Sequence, residues 1–214
     1  MRFKLVTVSL AVAAALAGCA TEQQTHTAVG TGVGAAVGAG LGNLIGGNTT
    51  GTLVGAAVGG AVGGATGYNW NAIRGKLSKD TAGTGTQITE QPDGSLKLNI
   101  PSSVTFDTNS YAIKPSFAPV LTQVAQTLNQ NPEVVAQVVG HTDSTGQPAY
   151  NQTLSVNRAQ SVVNQLAQDG VAQQRLAASG MGANQPIADN NTEAGRAQNR
   201  RVEIYLRAMA QHAQ

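Results

Sequence analysis

The distribution of glycine divides this chain into two halves that cannot fold in the same way. Fifteen of the 26 glycines lie between Gly30 and Gly67, and no charged residue occurs from Ala28 to Ile73. All the acidic residues except Glu22 and Asp80 lie after residue 89. Only the second half therefore has the mixture of apolar and charged residues that a core and a water-exposed surface require.

Within the first half the glycines repeat every four residues, in one run from Gly30 to Gly46 and another from Gly51 to Gly67. On a helix this spacing makes one stripe of glycine, along which two helices can pack closely. Each glycine costs a helix about 1 kcal/mol relative to alanine, so close packing or lipid must compensate. We expect a membrane-associated glycine-zipper helical hairpin over residues 28–73, with an interfacial edge at Tyr68, Trp70, Arg74 and Lys76. A flexible Gly/Ala tether remains the alternative.

The N-terminus indicates export. Residues 1–18 have two cations, an apolar run and then small residues, which is the pattern of a signal peptide and too short for a membrane span of about 20 residues. The sequence Leu-Ala-Gly-Cys ending at Cys19 resembles a bacterial lipobox. That resemblance implies a lipidated Cys19 carrying palmitate-type chains, a polar spacer over 19–27 and, since Ala20 follows, an outer-membrane location. An unmodified thiol beside an ordinary cleavage site is the alternative.

Charge and composition exclude several classes of function. The 13 basic and 11 acidic residues become 11 and 11 once Arg2 and Lys4 are removed with the leader, so no basic surface for nucleic acid is expected. The single cysteine and scattered histidines predict no metal site and no cofactor. His141, Asp143 and Ser144 are close in sequence, but Ser144 lacks the G-x-S-x-G setting of a hydrolase, so we expect no catalysis.

The second half reads as alternating strands and helices. After a linker predicted at 74–87, two short strands flank Asp93-Gly94 as a hairpin, and a helix starts near Pro115. A strand follows at Val134–Val139, then a loop, and then a helix that Asn151 is placed to cap. Further elements are a strand at Leu176–Ser179, a short helix capped by Asn191 or Thr192, and a half-exposed strand at 201–206. The pattern predicts a two-layer α/β sandwich, with helices on a mixed sheet, over residues 88–208, followed by a tail at 209–214.

One acid and one base stand out in this half. Asp143 follows the end of a predicted strand and Arg158 lies near the start of the next helix, which places both at one edge of the sheet. A carboxylate and a guanidinium held apart suit a zwitterion with an amine and a carboxylate. The alternative is that the two simply form a surface salt bridge with each other.

Five separated motifs favour the zwitterion site over the salt bridge, because together they resemble a known family. They are FDTNSYAIKP, GHTDSTG, YNQTLSVNRAQSV, GMG with PIADN, and EAGRAQNRRVEI. In order and spacing they resemble the OmpA-like peptidoglycan-binding domain, over roughly Val104 to Leu206. The resemblance implies that the partner is the diaminopimelate of peptidoglycan stem peptides, with Asp143 and Arg158 as anchors. It also implies pocket positions, namely Asn109, Thr145, Asn151 and Arg200, and makes Asp107 a structural cap.

Three hypotheses follow from the whole sequence. The first is a non-enzymatic tether, anchored in the outer membrane by lipid and glycine zipper, whose periplasmic domain binds peptidoglycan. The second is an oligomeric membrane-insertion or envelope-assembly factor that the wall-binding domain positions. An inner-membrane motor stator is disfavoured, because no ionisable residue occurs in the apolar stretch from Ala28 to Ile73. Whether the chain forms a homo-oligomer is left open.

Overall fold

The computed structural model describes residues 70–209, so the predictions for residues 1–69 and for the end of the tail lie outside the described residues. The helices are α1 Asn71–Asp80, α2 Ser102–Thr105, α3 Ala118–Gln130, α4 Pro148–Gln168 and α5 Glu193–Asn199, with a 3-10 turn at Gln173–Arg175. The strands are β1 Gln87–Glu90, β2 Leu96–Pro101, β3 Val134–His141, β4 Leu176–Gly180 and β5 Arg201–Ala208.

The five strands form one mixed sheet in the order β1-β2-β5-β3-β4. β1 and β2 are the predicted hairpin, β5 lies antiparallel between β2 and β3, and β3 pairs parallel with β4 through the α4 crossover. The predicted two-layer α/β sandwich is thereby confirmed. Because β5 is inserted between β2 and β3, the last strand of the domain lies at the centre of its sheet.

The core fills the space between one sheet face and the helices. Alternate residues of β2 and β5 point into it, and α3 and α4 contribute apolar stripes at helical spacing. Asn131 ends α3, and Gly170, with a φ of +94°, follows the end of α4, where glycine suits the left-handed conformation.

The N-terminal boundary of the domain differs from the prediction. Residues 71–80 are helix α1 rather than linker, and Trp70, Ile73 and Leu77 are buried in the same core as the sheet. The Trp70 indole donates a hydrogen bond to the Gly94 carbonyl at 2.7 Å. The prediction of a linker from residue 74 and of Trp70 as an interfacial anchor is therefore wrong, because this apolar stripe belongs to the wall of the sandwich.

Two further predictions are corrected. Asn151 does not cap α4, because the helix starts earlier: Pro148 stands at its first position, where a fixed φ and a missing N–H suit a helix start. β5 is not half-exposed either. Arg201, Glu203 and Arg207, on the face away from the helices, are each less than a tenth exposed.

The buried charges of β5 are compensated by partners on β5 itself and on the neighbouring strands β2 and β3. Glu203 accepts hydrogen bonds from Arg201 at 3.0 Å and from the Tyr205 hydroxyl at 2.7 Å, and Lys97 lies 3.7 Å away. Arg207 donates to Gln137 at 3.0 Å. A strand that alternates apolar and charged residues is thus buried on both faces, because the charges pair instead of meeting water.

Candidate functional site

A cleft of about 740 Å³ opens at one end of the sheet, where β2 and β3 end and β5 begins. Its walls come from the segment after β2, the loop after β3, the first half of α4, and α5. All six residues predicted as binding residues line it, and the structure thereby brings together side chains from four separate parts of the chain: Asn109, Asp143, Thr145, Asn151, Arg158 and Arg200.

Asp143 lies two residues beyond the end of β3 and is 7% exposed. Its Oδ1 accepts the Thr145 amide at 2.8 Å, and its Oδ2 pairs with Arg200 at 2.5 Å. Burial raises the pKa of Asp143, but the hydrogen bonds from Arg200 and Thr145 outweigh it and hold the pKa below its ordinary value. The carboxylate is therefore ionised at neutral pH.

Arg158 is 4% exposed and lies on the cleft side of α4. Its Nε donates to the Ser110 carbonyl at 2.9 Å, its Nη2 donates to the Asp107 carbonyl at 3.4 Å, and its guanidinium lies 5.1 Å from the centre of the Phe106 ring. Burial lowers the pKa of Arg158, which still leaves a guanidinium charged at neutral pH. Among residues 70–209, no carboxylate forms an ion pair with it, so the predicted alternative of a salt bridge with Asp143 is wrong.

Three polar residues shape the walls between these two charges. The Asn151 amide donates to the carbonyls of Asp143 at 3.3 Å and Thr145 at 2.8 Å, which ties the loop to the first turn of α4. Asn109 has a φ of +55°, a left-handed conformation that asparagine tolerates better than most residues. The Asp107 side chain is exposed and pairs with Lys114 at 3.2 Å. It accepts no backbone N–H within residues 70–209, so it does not act as the predicted cap.

Helix α5 adds two charged residues that the sequence reading did not place in the site. Glu193 and Arg196 line the cleft together with Arg200, at intervals of three and four residues that put all three on one helix side. Glu193 pairs with both arginines at 2.8 Å. Hydrogen bonds from Arg200 and Arg196 lower the pKa of Glu193. This spacing in EAGRAQNR is the sequence signal from which Glu193 and Arg196 could have been predicted.

The residues of the supposed hydrolase constellation are separated. His141 lies on the sheet face away from the helices, with its Nε2 3.4 Å from Glu203, whereas Asp143 faces the cleft. Burial lowers the pKa of His141. The described part of the chain has no group of three or more side chains that could hold a metal ion. Nor does it contain a helix that is long and apolar enough to cross a membrane.

Comparison with known proteins places this fold and cleft in a family. The OmpA family profile matches residues 105–200, and the YMGG-like Gly-zipper profile matches residues 1–71. The outer-membrane lipoprotein YfiB of Pseudomonas aeruginosa is 35% identical over 119 residues, which cover 56% of this chain and 71% of that protein. The chain belongs to the OmpA family, and its first third carries a glycine zipper of the YMGG-like type.

Two further relatives extend the comparison. Probable lipoprotein YiaD of Escherichia coli is 44% identical over 140 residues, which cover 65% of this chain and 64% of that protein, slightly under two thirds of its length. Among solved structures, the cell wall anchor of the T6SS from P. aeruginosa superposes with a TM-score of 0.55 at 29% identity, covering 62% of this chain and 96% of that one. These matches confirm the predicted family and the glycine zipper.

Proposed function

We propose that this chain is an outer-membrane lipoprotein that binds peptidoglycan non-covalently and tethers the membrane to the cell wall without catalysing a reaction. In this proposal Cys19 carries the lipid, the glycine zipper associates with the membrane, and the domain from residue 70 binds the wall from the periplasm. Relatives named as an outer-membrane lipoprotein and as a cell wall anchor support this assignment.

The buried guanidinium of Arg158 is the observation that carries the proposal. A charge taken out of water is costly unless it is paired. Two carbonyls and one aromatic face compensate only part of that cost, and they accept two of the five N–H groups that a guanidinium offers. A carboxylate from a ligand would complete the set with two parallel charge-assisted hydrogen bonds.

The negative charge of Asp143, beside the positive charge of Arg158, indicates that the ligand is a zwitterion. Asp143 lines the same cleft and is ionised, and a carboxylate has about four lone-pair positions, of which Thr145 and Arg200 occupy only some. An ammonium fits there while a carboxylate contacts Arg158. The side-chain end of diaminopimelate carries both groups on one carbon, so the stem peptide of the wall is the ligand that we infer.

The two ends of the domain are also arranged as a tether requires. Chain preceding Trp70 enters the fold beside Gly94, next to the Leu96–Leu206 end of the sheet. The cleft lies beyond the Pro101–Arg201 end. Trp70, where the described residues begin, and the cleft are thus at opposite ends of the strands.

Co-sedimentation of the full chain with purified sacculi tests the proposal. We expect binding to sacculi whose third stem residue is diaminopimelate and weak binding where lysine replaces it, since lysine keeps the amine but lacks the carboxylate. Arg158→Ala and Asp143→Asn should each weaken binding at least about tenfold, as expected for a lost charge-assisted contact. Arg158→Lys should lose part of the binding to sacculi, because a lysine ammonium cannot form two parallel hydrogen bonds with one carboxylate.

Arg74→Ala is the matched control, since Arg74 is an exposed arginine on α1, outside the cleft. Thermal melts of each variant should accompany the pull-down, so that a loss of fold is not read as a loss of contact. Equal binding to both kinds of sacculi, or unchanged binding by folded Arg158→Ala and Asp143→Asn, would contradict the proposal.

The second hypothesis, an assembly factor that works through its zipper, draws on the match of residues 1–71 to the YMGG-like Gly-zipper. Deletion of residues 28–69 separates the two, and it leaves Trp70 and α1 in place. After this deletion a tether should keep its binding to sacculi and most of its effect on the envelope. An assembly factor should keep its binding to sacculi but lose its effect on the envelope.

A further inference from the structure

Two exposed tyrosines lie close in the chain to residues that line the candidate cleft. Four large apolar side chains of residues 70–209 are exposed, and none of them is part of the cleft lining. Tyr111, at 54%, lies two residues after the cleft residue Asn109, and Tyr150, at 49%, directly precedes the cleft residue Asn151, whereas Ile187 and Met209 adjoin no lining residue. A single exposed apolar residue is ordinary and needs no explanation. Two aromatic rings beside one cleft are a different pattern, because binding surfaces are enriched in tyrosine.

Tyr111 projects from a turn that the cleft itself holds in place. The preceding residue, Ser110, accepts the Arg158 Nε at its carbonyl, and its amide donates to the Asp107 carbonyl at 3.1 Å. The Ser110 hydroxyl accepts the Ala112 amide at 3.0 Å, so the backbone on both sides of Tyr111 is fixed. A ring on such a turn loses little additional freedom when a ligand packs on it.

Tyr150 lies in the first turn of α4 and precedes Arg158 on the same helix. It is four residues before Leu154, which lines the cleft, and residues at this spacing are neighbours on a helix surface. The next residue, Asn151, is held by the carbonyls of Asp143 and Thr145. The Tyr150 phenol is also close enough to Arg158 for an electrostatic interaction. Both tyrosines therefore adjoin, in the chain, residues that line the cleft or hold the Arg158 guanidinium.

We propose that Tyr111 and Tyr150 form a second subsite, which binds the uncharged amino sugar that carries the stem peptide. The proposal rests on the proposed function of the cleft, because it extends the same ligand beyond its charged end. A sugar ring has an apolar C–H face and a polar edge, and tyrosine offers the complementary apolar face and polar tip. Tyrosine also has only two side-chain torsions to order on binding.

The dimensions agree with this continuation. Eight residues of helix separate Tyr150 from Arg158, a rise of about 12 Å. Two stem residues lie between diaminopimelate and the sugar, and two extended residues span about 7 Å, to which the side chain and the ether link of the sugar add length. A carboxylate at Arg158 therefore leaves the sugar within reach of Tyr150.

Calorimetric titration of the full chain with two probes tests the proposal. One probe is the free tripeptide that ends in diaminopimelate, and the other is the same tripeptide on its N-acetylglucosamine–N-acetylmuramic acid disaccharide. We expect the wild type to bind the disaccharide probe about tenfold more tightly, a difference of about 1.4 kcal/mol. The double variant Tyr111→Ala/Tyr150→Ala should lose this gain and keep its affinity for the tripeptide. Ile187→Ala, which removes an equally exposed side chain outside the cleft lining, should keep both affinities.

The two proposals fail separately in this experiment. A wild type that binds both probes equally, or a double variant that keeps the gain, overturns the sugar subsite and leaves the proposed function standing. A wild type that binds neither probe overturns both. Binding of the disaccharide probe alone, lost in the double variant, supports the sugar subsite and contradicts diaminopimelate as the main ligand.

Discussion

Arg200 shares one guanidinium between two acids of the cleft. Its Nη1 pairs with Asp143 and its Nη2 pairs with Glu193 at 2.8 Å, and the hydrogen bond to Asp143 raises the pKa of Arg200. The same contact is the main force that lowers the pKa of Asp143 against the effect of burial. Arg200 therefore keeps the Asp143 carboxylate ionised, in addition to lining the cleft.

This coupling makes a residue-scale prediction. Arg200→Ala should raise the pKa of Asp143, because burial then acts with only the Thr145 hydrogen bond opposing it. The lowered pKa of the wild type contributes stability that is present above the unfolded value of about 3.9 and is lost as the pH falls through the folded pKa. The variant should therefore lose less stability on acidification. Carboxyl-carbon NMR titration measures the pKa of Asp143. Urea unfolding at several pH values measures how the free energy of unfolding changes with pH.

Arg196→Ala is the appropriate control for that experiment. Arg196 pairs with Glu193 in the same cleft but forms no ion pair with Asp143. Its removal should leave the titration of Asp143 nearly unchanged. If the pKa of Asp143 is the same in the wild type and in Arg200→Ala, then the ion pair with Arg200 does not contribute to the ionisation of Asp143.

At the scale of elements, the cleft depends on how closely α4 packs on β3 and β4. A Cβ on Gly140 would lie 2.1 Å from the Ser155 carbonyl oxygen, and one on Gly180 would lie 2.4 Å from both the Ser155 hydroxyl and the Val156 amide nitrogen. The Ser155 hydroxyl also accepts the Gly182 amide at 2.9 Å. These contacts set the height of α4 above the sheet, and with it the position of Arg158, three residues further along the helix.

The same substitution at two glycines should have opposite effects. Gly140→Ala must push backbone atoms apart and should destabilise the fold by about 1–3 kcal/mol or more. Gly75→Ala on α1 meets no atom within 4 Å, and should stabilise by up to about 1 kcal/mol through helix propensity. Chemical unfolding followed by circular dichroism measures both. Equal effects at the two positions would mean that the close approach of α4 is not required.

Elements with local signals were predictable from the sequence. Thr192 caps α5 by accepting the Gly195 amide at 3.0 Å, and the hairpin turns at Asp93-Gly94, because capping and turn chemistry depend on residues a few positions apart. The burial of Glu203 was not predictable in this way. Its partners His141 and Lys97 lie on β3 and β2, and only the insertion of β5 between those strands brings them together.

The residues of the candidate site also divide into those that local sequence pattern predicts and those that it does not. Asp143 and Arg158 stand out because a strand end and a helix start frame them, and this needs only local pattern. Asn109 and Arg200 come from distant segments, and they were assigned by motif resemblance alone. The contact between Arg200 and Asp143 spans 57 residues, a distance over which periodicity carries no information.

At the scale of the whole molecule, α1 extends the fold beyond the match to the OmpA family, which begins at residue 105. The sequence reading missed it because Trp70, Ile73 and Leu77 follow directly on the glycine-rich run, and a short stripe with few apolar residues resembles its edge. Its burial fixes where the preceding segment joins the domain. Since the six residues of β2 separate the Gly94 turn from the cleft, that junction lies about 20 Å from the cleft end of the sheet.

A rigid junction requires that α1 be an integral part of the fold, and Trp70 tests this. Trp70→Ala removes a side chain that is 3% exposed together with its hydrogen bond to Gly94, and should cost about 3–5 kcal/mol. Arg74→Ala changes an exposed residue of the same helix and should stay within about 0.5 kcal/mol of the wild type. Urea unfolding of the full chain by circular dichroism compares them. If Trp70→Ala is as stable as Arg74→Ala, then α1 is only loosely attached to the sandwich and is not an integral part of the fold.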